Sequence, residues 1–193
     1  TAEYRQLGDS VWTVANANLT STSYSFTGLN DGTTYEMRFT SDCGNDTLGF
    51  TIIEATTPCL PVSSYPFTEN FDTWTSNNST LGDVCWQRLS NDNGNPGTST
   101  SYAISGNKSL YFYGDEDVYS AVILPKFDMP IDTLLVSFGM RAASTSYQLQ
   151  IGVITDPEDI ATFVPVTTAQ VTTANQWEMN EFALRSYTGA DGY

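Results

Sequence analysis

The side chains able to do chemistry here are acidic and aromatic. Glu69 and Asp72 lie close together, Asp92 sits in a loop with Asn93 and Asn95, and Asp115, Glu116 and Asp117 are consecutive. Calcium takes its oxygens from carboxylates, amides and carbonyls, and flexible acidic loops supply these. Glu69, Asp72, Asp92 and Asp117 are therefore the candidate metal ligands; the competing reading is solvated surface acids, and no EF-hand spacing is present. A carboxylate pair is also the minimum equipment for glycoside hydrolysis, but nothing in the spacing fixes the separation that reaction needs. Lys108 and Ser109 are adjacent, so on a strand they point to opposite faces and form no dyad. The chain has no histidine, which removes the commonest general base, the His-dependent triads and most catalytic zinc sites. This inventory favours binding over catalysis.

The aromatic residues suggest what is bound. Indole and phenol faces stack on the apolar C–H surface of sugar rings while amides and carboxylates take the hydroxyls. Trp74, Tyr102, Tyr111 and Tyr113 do not fall plainly on the core parity, and Trp74, Tyr111 and Tyr113 are the candidate ligand contacts. The alternative is packing, with Tyr111 and Tyr113 turned toward a second sheet or a neighbouring domain.

Charge narrows the partners. With 22 acidic and 7 basic residues the net charge is −15. No basic stripe exists to neutralise phosphates, so nucleic acid is not expected as a partner, and an anionic membrane surface would repel the chain. No apolar run approaches the ~20 residues of a spanning helix, so no direct membrane insertion is expected. Three cysteines are too few for a dense disulfide scaffold. Five Asn-x-Ser/Thr sequons begin at Asn18, Asn45, Asn77, Asn78 and Asn107; in a chain this rich in Asn and Thr such matches arise by chance.

The elements that must position these residues read as strands. Ser, Thr, Asn, Tyr and Phe are plentiful, a mix suited to strands and turns. Residues 34–40 (TYEMRFT) put Tyr35, Met37 and Phe39 on one face. Residues 2–7, 11–15, 23–27 and 49–56 are the other strands of the first half, with a turn at Asp31-Gly32. Residues 58–61 carry two prolines, Pro58 and Pro61, which deny ladder donors and mark a boundary between 1–58 and 59–193. Beyond it, 65–74, 84–89, 109–113, 118–124, 133–141, 147–153, 163–168 and 176–184 read as short strands. Asp156 with Pro157 suits a single helical turn. Trp177 and Met179 share one parity and Phe182 and Leu184 the other, which predicts a bulge near 180–181. Many short strands without a long helix predict an all-β chain of antiparallel sandwiches.

Two stretches carry family resemblances. YRQLG, then SYSFTGLNDGTTYEMRFTSDCG and FTIIEATTP, resemble the second half of a fibronectin type III domain. Leu29, Gly32, Thr33 and Tyr35 match its tyrosine-corner region, where the resemblance implies a Tyr hydroxyl bonded back to the corner. The match covers residues 1–58 and supplies strands C, C′, E, F and G of that sandwich. Its first strands have no counterpart, so a partial sandwich with an open sheet is expected. In the second stretch PFTENFD, CW, SLYF, YSAVILPKFDM, LLVSFGMR, IGVITDPEDIATFVPV and YTG occur in order. Together they resemble the MAM-like jelly-roll domains of Bacteroidetes surface proteins, of the choice-of-anchor or cleaved-adhesin type. That resemblance spans about residues 64–193 of the domain 59–193, with the jelly roll expected to be cut short at its C-terminal end. It implies a structural calcium near Glu69 and Asp72.

In such a unit Cys59 and Cys85 both flank the opening of the jelly roll, and a bridge between them is expected if any forms. Cys43 is separated from Cys59 by the length of a strand, roughly 25–30 Å, and is left free; three reduced thiols, with Cys85 packed beside Trp86, is the alternative. The functional expectation is a non-catalytic, extracellular or cell-surface binding or adhesion region of a multidomain bacterial protein. Its partners would be a glycan or surface protein, together with other domains of the same polypeptide. The rival is an accessory region of a secreted peptidase or glycoside hydrolase whose catalytic domain lies elsewhere.

Overall fold

The structure is a computed structural model describing residues 1–41, 49–74, 85–91, 94–114 and 118–193. It is all-β, with two single turns of 3-10 helix at Ile131–Thr133 and Ile160–Thr162. The chain divides into two compact units, Thr1–Leu60 and Pro61–Tyr193, two residues beyond the expected boundary.

The first unit is one antiparallel sheet of β1 (Ala2–Gln6), β2 (Thr13–Asn16), β3 (Thr34–Phe39) and β4 (Thr51–Thr56), in the order β2-β1-β3-β4. Register places Tyr4, Met37 and Ile53 side by side on one face and Glu3, Arg38 and Ile52 on the other. On the charged face Arg5 pairs with Glu36 at 2.6 Å and Arg38 with Glu3 at 2.7 Å. Both guanidinium groups stack on Trp12, 4.5 Å and 4.1 Å from its ring centre. These are directly opposed cross-strand pairs, the arrangement in which charges reinforce a ladder.

On the apolar face residues 23–27 make no strand, contrary to expectation. The reason is topological: β1 and β3 each already have two ladder partners, which leaves no edge of either strand to pair with. The segment instead lays rings on the sheet, with Phe26 meeting Tyr4 at 5.8 Å and Phe39 at 6.0 Å. Phe39 and Ile53 stay exposed. Tyr35 is buried, and its hydroxyl accepts the amide of Asn30 at 3.0 Å.

The second unit comprises β5 (Gln87–Ser90), β6 (Gly97–Ser99), β7 (Ser109–Tyr111), β8 (Ser120–Ile123), β9 (Leu135–Met140), β10 (Gln148–Ile154), β11 (Phe163–Gln170) and β12 (Glu178–Ala183). They form four antiparallel ladders: β5 with β8, β6 with β7, β9 with β12, and β10 with β11. The β10–β11 hairpin thus sits in sequence between the two partners of the β9–β12 ladder.

Three expectations are corrected here. Residues 65–74 are not a strand, because side chains capture the backbone donors a ladder would need. Glu69 Oε1 accepts from Phe71 N at 2.6 Å and Asn70 Oδ1 from Asp72 N at 3.1 Å, and such local bonds compete with sheet formation. The β12 ladder has no bulge at 180–181; its register from Glu178–Met140 to Ala183–Leu135 is unbroken. The irregularity lies between Ile151 and Gly152 in the β10–β11 pair instead. A Cβ on Gly152 would stand 2.2 Å from Val164 O, so only glycine fits there. The short helical turn after Pro157 is also capped by a different residue than expected. Asp159, not Asp156, accepts from Ala161 N, while Asp156 takes Glu158 N.

The second unit has two apolar centres. Ile131, Val153, Leu184 and Tyr187 are buried together. Phe71, Trp74 and Trp86 form an edge-to-face cluster with ring centres 5.0–5.8 Å apart, extended by Phe67 and Phe127. Such geometries add about 0.5–1.5 kcal/mol per pair beyond burial. Cys59 and Cys85 are both disulfide-bonded; Cys43 lies outside the described residues.

Candidate functional site

The segment 69–74 is held by its acids. Asp72 Oδ1 accepts the backbone N–H of Asn107 at 2.8 Å and of Lys108 at 3.2 Å. Gly106, at φ +59°, presses its backbone against the same carboxylate; a Cβ there would fall 1.8 Å from Asp72 Oδ2. Lys108 reaches on to donate to the carbonyl of Trp74. Asp72 therefore ties the turn at 104–108 to the segment that carries Trp74.

Of the four expected metal ligands, Glu69 and Asp72 fall within the described residues. Glu69 and Asp72 each give an oxygen to backbone amides, and no group of three His, Cys, Asp or Glu side chains gathers among the described residues. These residues alone do not make a calcium cage. Asp92 and Asp117 lie outside the described residues.

The expected ligand contacts separate. Trp74 is only 3% exposed. Its indole is enclosed by Phe71 and Trp86, so it packs the interior and offers no platform, a correction to the expectation. The reason is the turn at 71–74: Phe71 at φ 64° takes the chain out of strand geometry, and strand parity no longer predicts where Trp74 points. Tyr111 and Tyr113 are 47% and 46% exposed. Tyr111 closes β7 opposite Gly97, a partner with no side chain to shield it.

Tyr102 is more exposed still, at 56%. The guanidinium of Arg141 lies 3.7 Å from its ring centre, and Ser109 Oγ fixes its backbone carbonyl at 2.7 Å. Sequence reasoning did not single out Arg141 or the nearby Trp177. The available signal was the shared parity of Trp177 and Met179, which it read as a bulge.

Three titratable side chains among the described residues are shifted from their ordinary values. The two perturbed carboxylates both move down. The bonded Arg38 lowers Glu3, and the amides of Thr172 and Thr173 with the Thr172 hydroxyl lower Glu178 against a smaller opposing effect of burial. Tyr65 moves up, through loss of solvent and its 2.7 Å bond to Asp128, which makes its hydroxyl a weaker acid. No family model matches the chain, and no curated protein or solved structure is significantly similar to it.

Proposed function

We propose that this chain is a non-catalytic binding or adhesion region of an exported, multidomain bacterial protein, and that it takes a glycan or a surface protein. The observation that carries the reading is the exposure of two aromatic rings, Tyr111 at the end of β7, which is fixed by its ladder to β6, and Tyr113 two residues beyond it. Aromatic residues presented from rigid elements, with little entropy to lose, are what a binding surface needs. The disulfide-bonded Cys59 and Cys85 suit an oxidising compartment outside the cytosol. The fibronectin-like pattern around Tyr35 and the jelly-roll-like blocks that follow belong to the same reading.

The test is a mixed glycan and surface-protein array probed with the intact chain. Retention of a defined ligand without its turnover is the expected result; release of product from any ligand, or no retention on either array, would overturn the reading. A structural calcium drawn from the acids at 69, 72, 92 and 117 belongs to the same proposal. Adding calcium to chelator-treated protein should raise Tm through linkage, and an unchanged Tm removes the metal from it.

A further inference from the structure

The unbroken β9–β12 register has a consequence for which residues face out. Glu178, Asn180, Phe182 and Leu184 alternate toward the core, where Phe182 meets Phe138 and Leu184 joins the buried cluster. Trp177 and Met179 must then occupy the opposite face, and Met179 is 68% exposed. The outer row thus carries Trp177 and Met179 beside Glu181, and the inner row Phe182 and Leu184 beside Glu178 and Asn180.

The loop at 102–108 crosses this outer face. Met179 stands opposite Gly139 in the ladder. A Cβ on Gly139 would lie 2.6 Å from Ile104 Cδ1 and 3.6 Å from Trp177 Cε3, so glycine makes room for Ile104 beside the indole. Two residues before Ile104 and two after Gly139, Tyr102 stacks on Arg141. Arg141 in turn donates to Asn175 Oδ1 at 3.1 Å, and Asn175 is fixed by its N–H to Ala142 O at 2.7 Å. No carboxylate pairs with Arg141 among the described residues, whereas Arg5 and Arg38 both have one. The guanidinium is thus positioned by a ring and an amide while keeping donors unspent.

We propose that the face formed by Tyr102, Arg141 and Trp177 is a binding site for a neutral pyranose ring of a glycan chain. The proposal rests on the glycan-binding reading above and names a place and a ligand class for it. One face of the Tyr102 ring is taken by Arg141, and its exposed remainder offers a platform for sugar C–H groups. The unspent N–H groups of Arg141 and the Asn175 amide supply directional bonds to hydroxyls, the combination of apolar face and few fixed polar groups that small-ligand sites use. Charge selects the neutral class. The chain carries −15, and Glu181 shares this outer face opposite Ser137, so a polyanionic glycan is repelled at long and short range. Because Asp72 holds the turn at 106–108, the platform is ordered before ligand arrives.

The experiment uses the intact chain with soluble probes: cellohexaose, xylohexaose and mannohexaose as neutral chains, and polygalacturonate as the anionic one. Affinity is measured by isothermal titration for wild type, Tyr102→Ala, Arg141→Gln, Trp177→Ala and the double variant Tyr111→Ala/Tyr113→Ala, with Tm recorded for each. The expected result is saturable binding of at least one neutral hexaose. It should be weakened at least tenfold by Tyr102→Ala and by Arg141→Gln at unchanged Tm. Wild-type binding that survives both substitutions, or that is lost only with Tyr111 and Tyr113, overturns this site while leaving glycan binding in place. Binding of polygalacturonate alone overturns the neutral class. No binding of any probe by wild type overturns the site, and silence on the wider glycan array as well takes the glycan reading with it.

Discussion

The aromatic rings of residues 61–193 occupy two different settings, and Trp74 and Trp177 mark the contrast. Trp74 sits at 3% exposure among Phe71 and Trp86. Trp177 lies on the outer face of β12 beside Ile104, next to the exposed Tyr102 and Met179. Residue type does not distinguish them. Backbone geometry does: an irregular turn carries Trp74 inward, whereas Trp177, half-buried just ahead of the unbroken β12 ladder, falls on the side opposite Phe182 and Leu184. Burial of an indole contributes several kcal/mol to folding, whereas an indole left on a surface contributes little to it and is free to contribute to binding.

The largest expected effect breaks the interior side of this contrast. Trp74→Ala should cost about 3–5 kcal/mol, a fall in Tm on the order of 10 °C, visible by calorimetry. Tyr102→Ala on the outer face should stay within about 0.5 kcal/mol of wild type. Similar losses from both would erase the distinction. Removal of the covalent link comes next. Cys59→Ser with Cys85→Ser should cost about 2–4 kcal/mol, read as a lower denaturation midpoint that reductant reproduces in wild type but not in the variant.

How much of this was legible in the sequence follows from where local rules held. Tyr35, Met37 and Phe39 alternate as read because β3 is paired on both sides and its parity is enforced. Residues 23–27 alternate just as well, yet make no strand, because no edge of β1 or β3 remains for them. Pairing capacity is a property of the whole sheet that a local pattern does not contain. Residues 65–74 failed for a local reason that was present in the sequence: Glu69 and Asn70 are side chains that capture backbone donors two residues on. Trp177 and Met179 were seen as out of phase with Phe182 and Leu184. The parity was correct and its explanation was not, since a strand with two apolar faces and a bulged strand give the same pattern.

Asp72 joins the two regions and sharpens the comparison. Its carboxylate receives amides from the loop that carries Tyr102, so Asp72→Ala should cost roughly 1.5–3 kcal/mol, the range for hydrogen bonds to a charged group. It should also weaken glycan binding by loosening a platform it does not touch. Loss of stability with affinity untouched would separate the two regions that the structure connects.

The smallest effect concerns pH. Glu178 is held below the usual carboxylate range by the amides of Thr172 and Thr173. Its folded value therefore lies below its unfolded one. The stabilisation is complete above the ordinary carboxylate range and is lost as pH falls through the folded value. A plot of Tm against pH should slope down on the acid side, and Glu178→Gln should flatten part of that slope while leaving the neutral region little changed. An identical acid limb in wild type and variant would remove Glu178 from the account.

The central claim is that Tyr102 is a binding residue on a surface that folding does not need. It is tested most directly by measuring Tm and neutral-hexaose affinity on one preparation of Tyr102→Ala beside wild type. The account predicts a Tm within about 2 °C of wild type, as for a surface substitution, together with at least tenfold weaker binding. A Tm depressed as far as that of Trp74→Ala, or a binding isotherm indistinguishable from wild type, would contradict it.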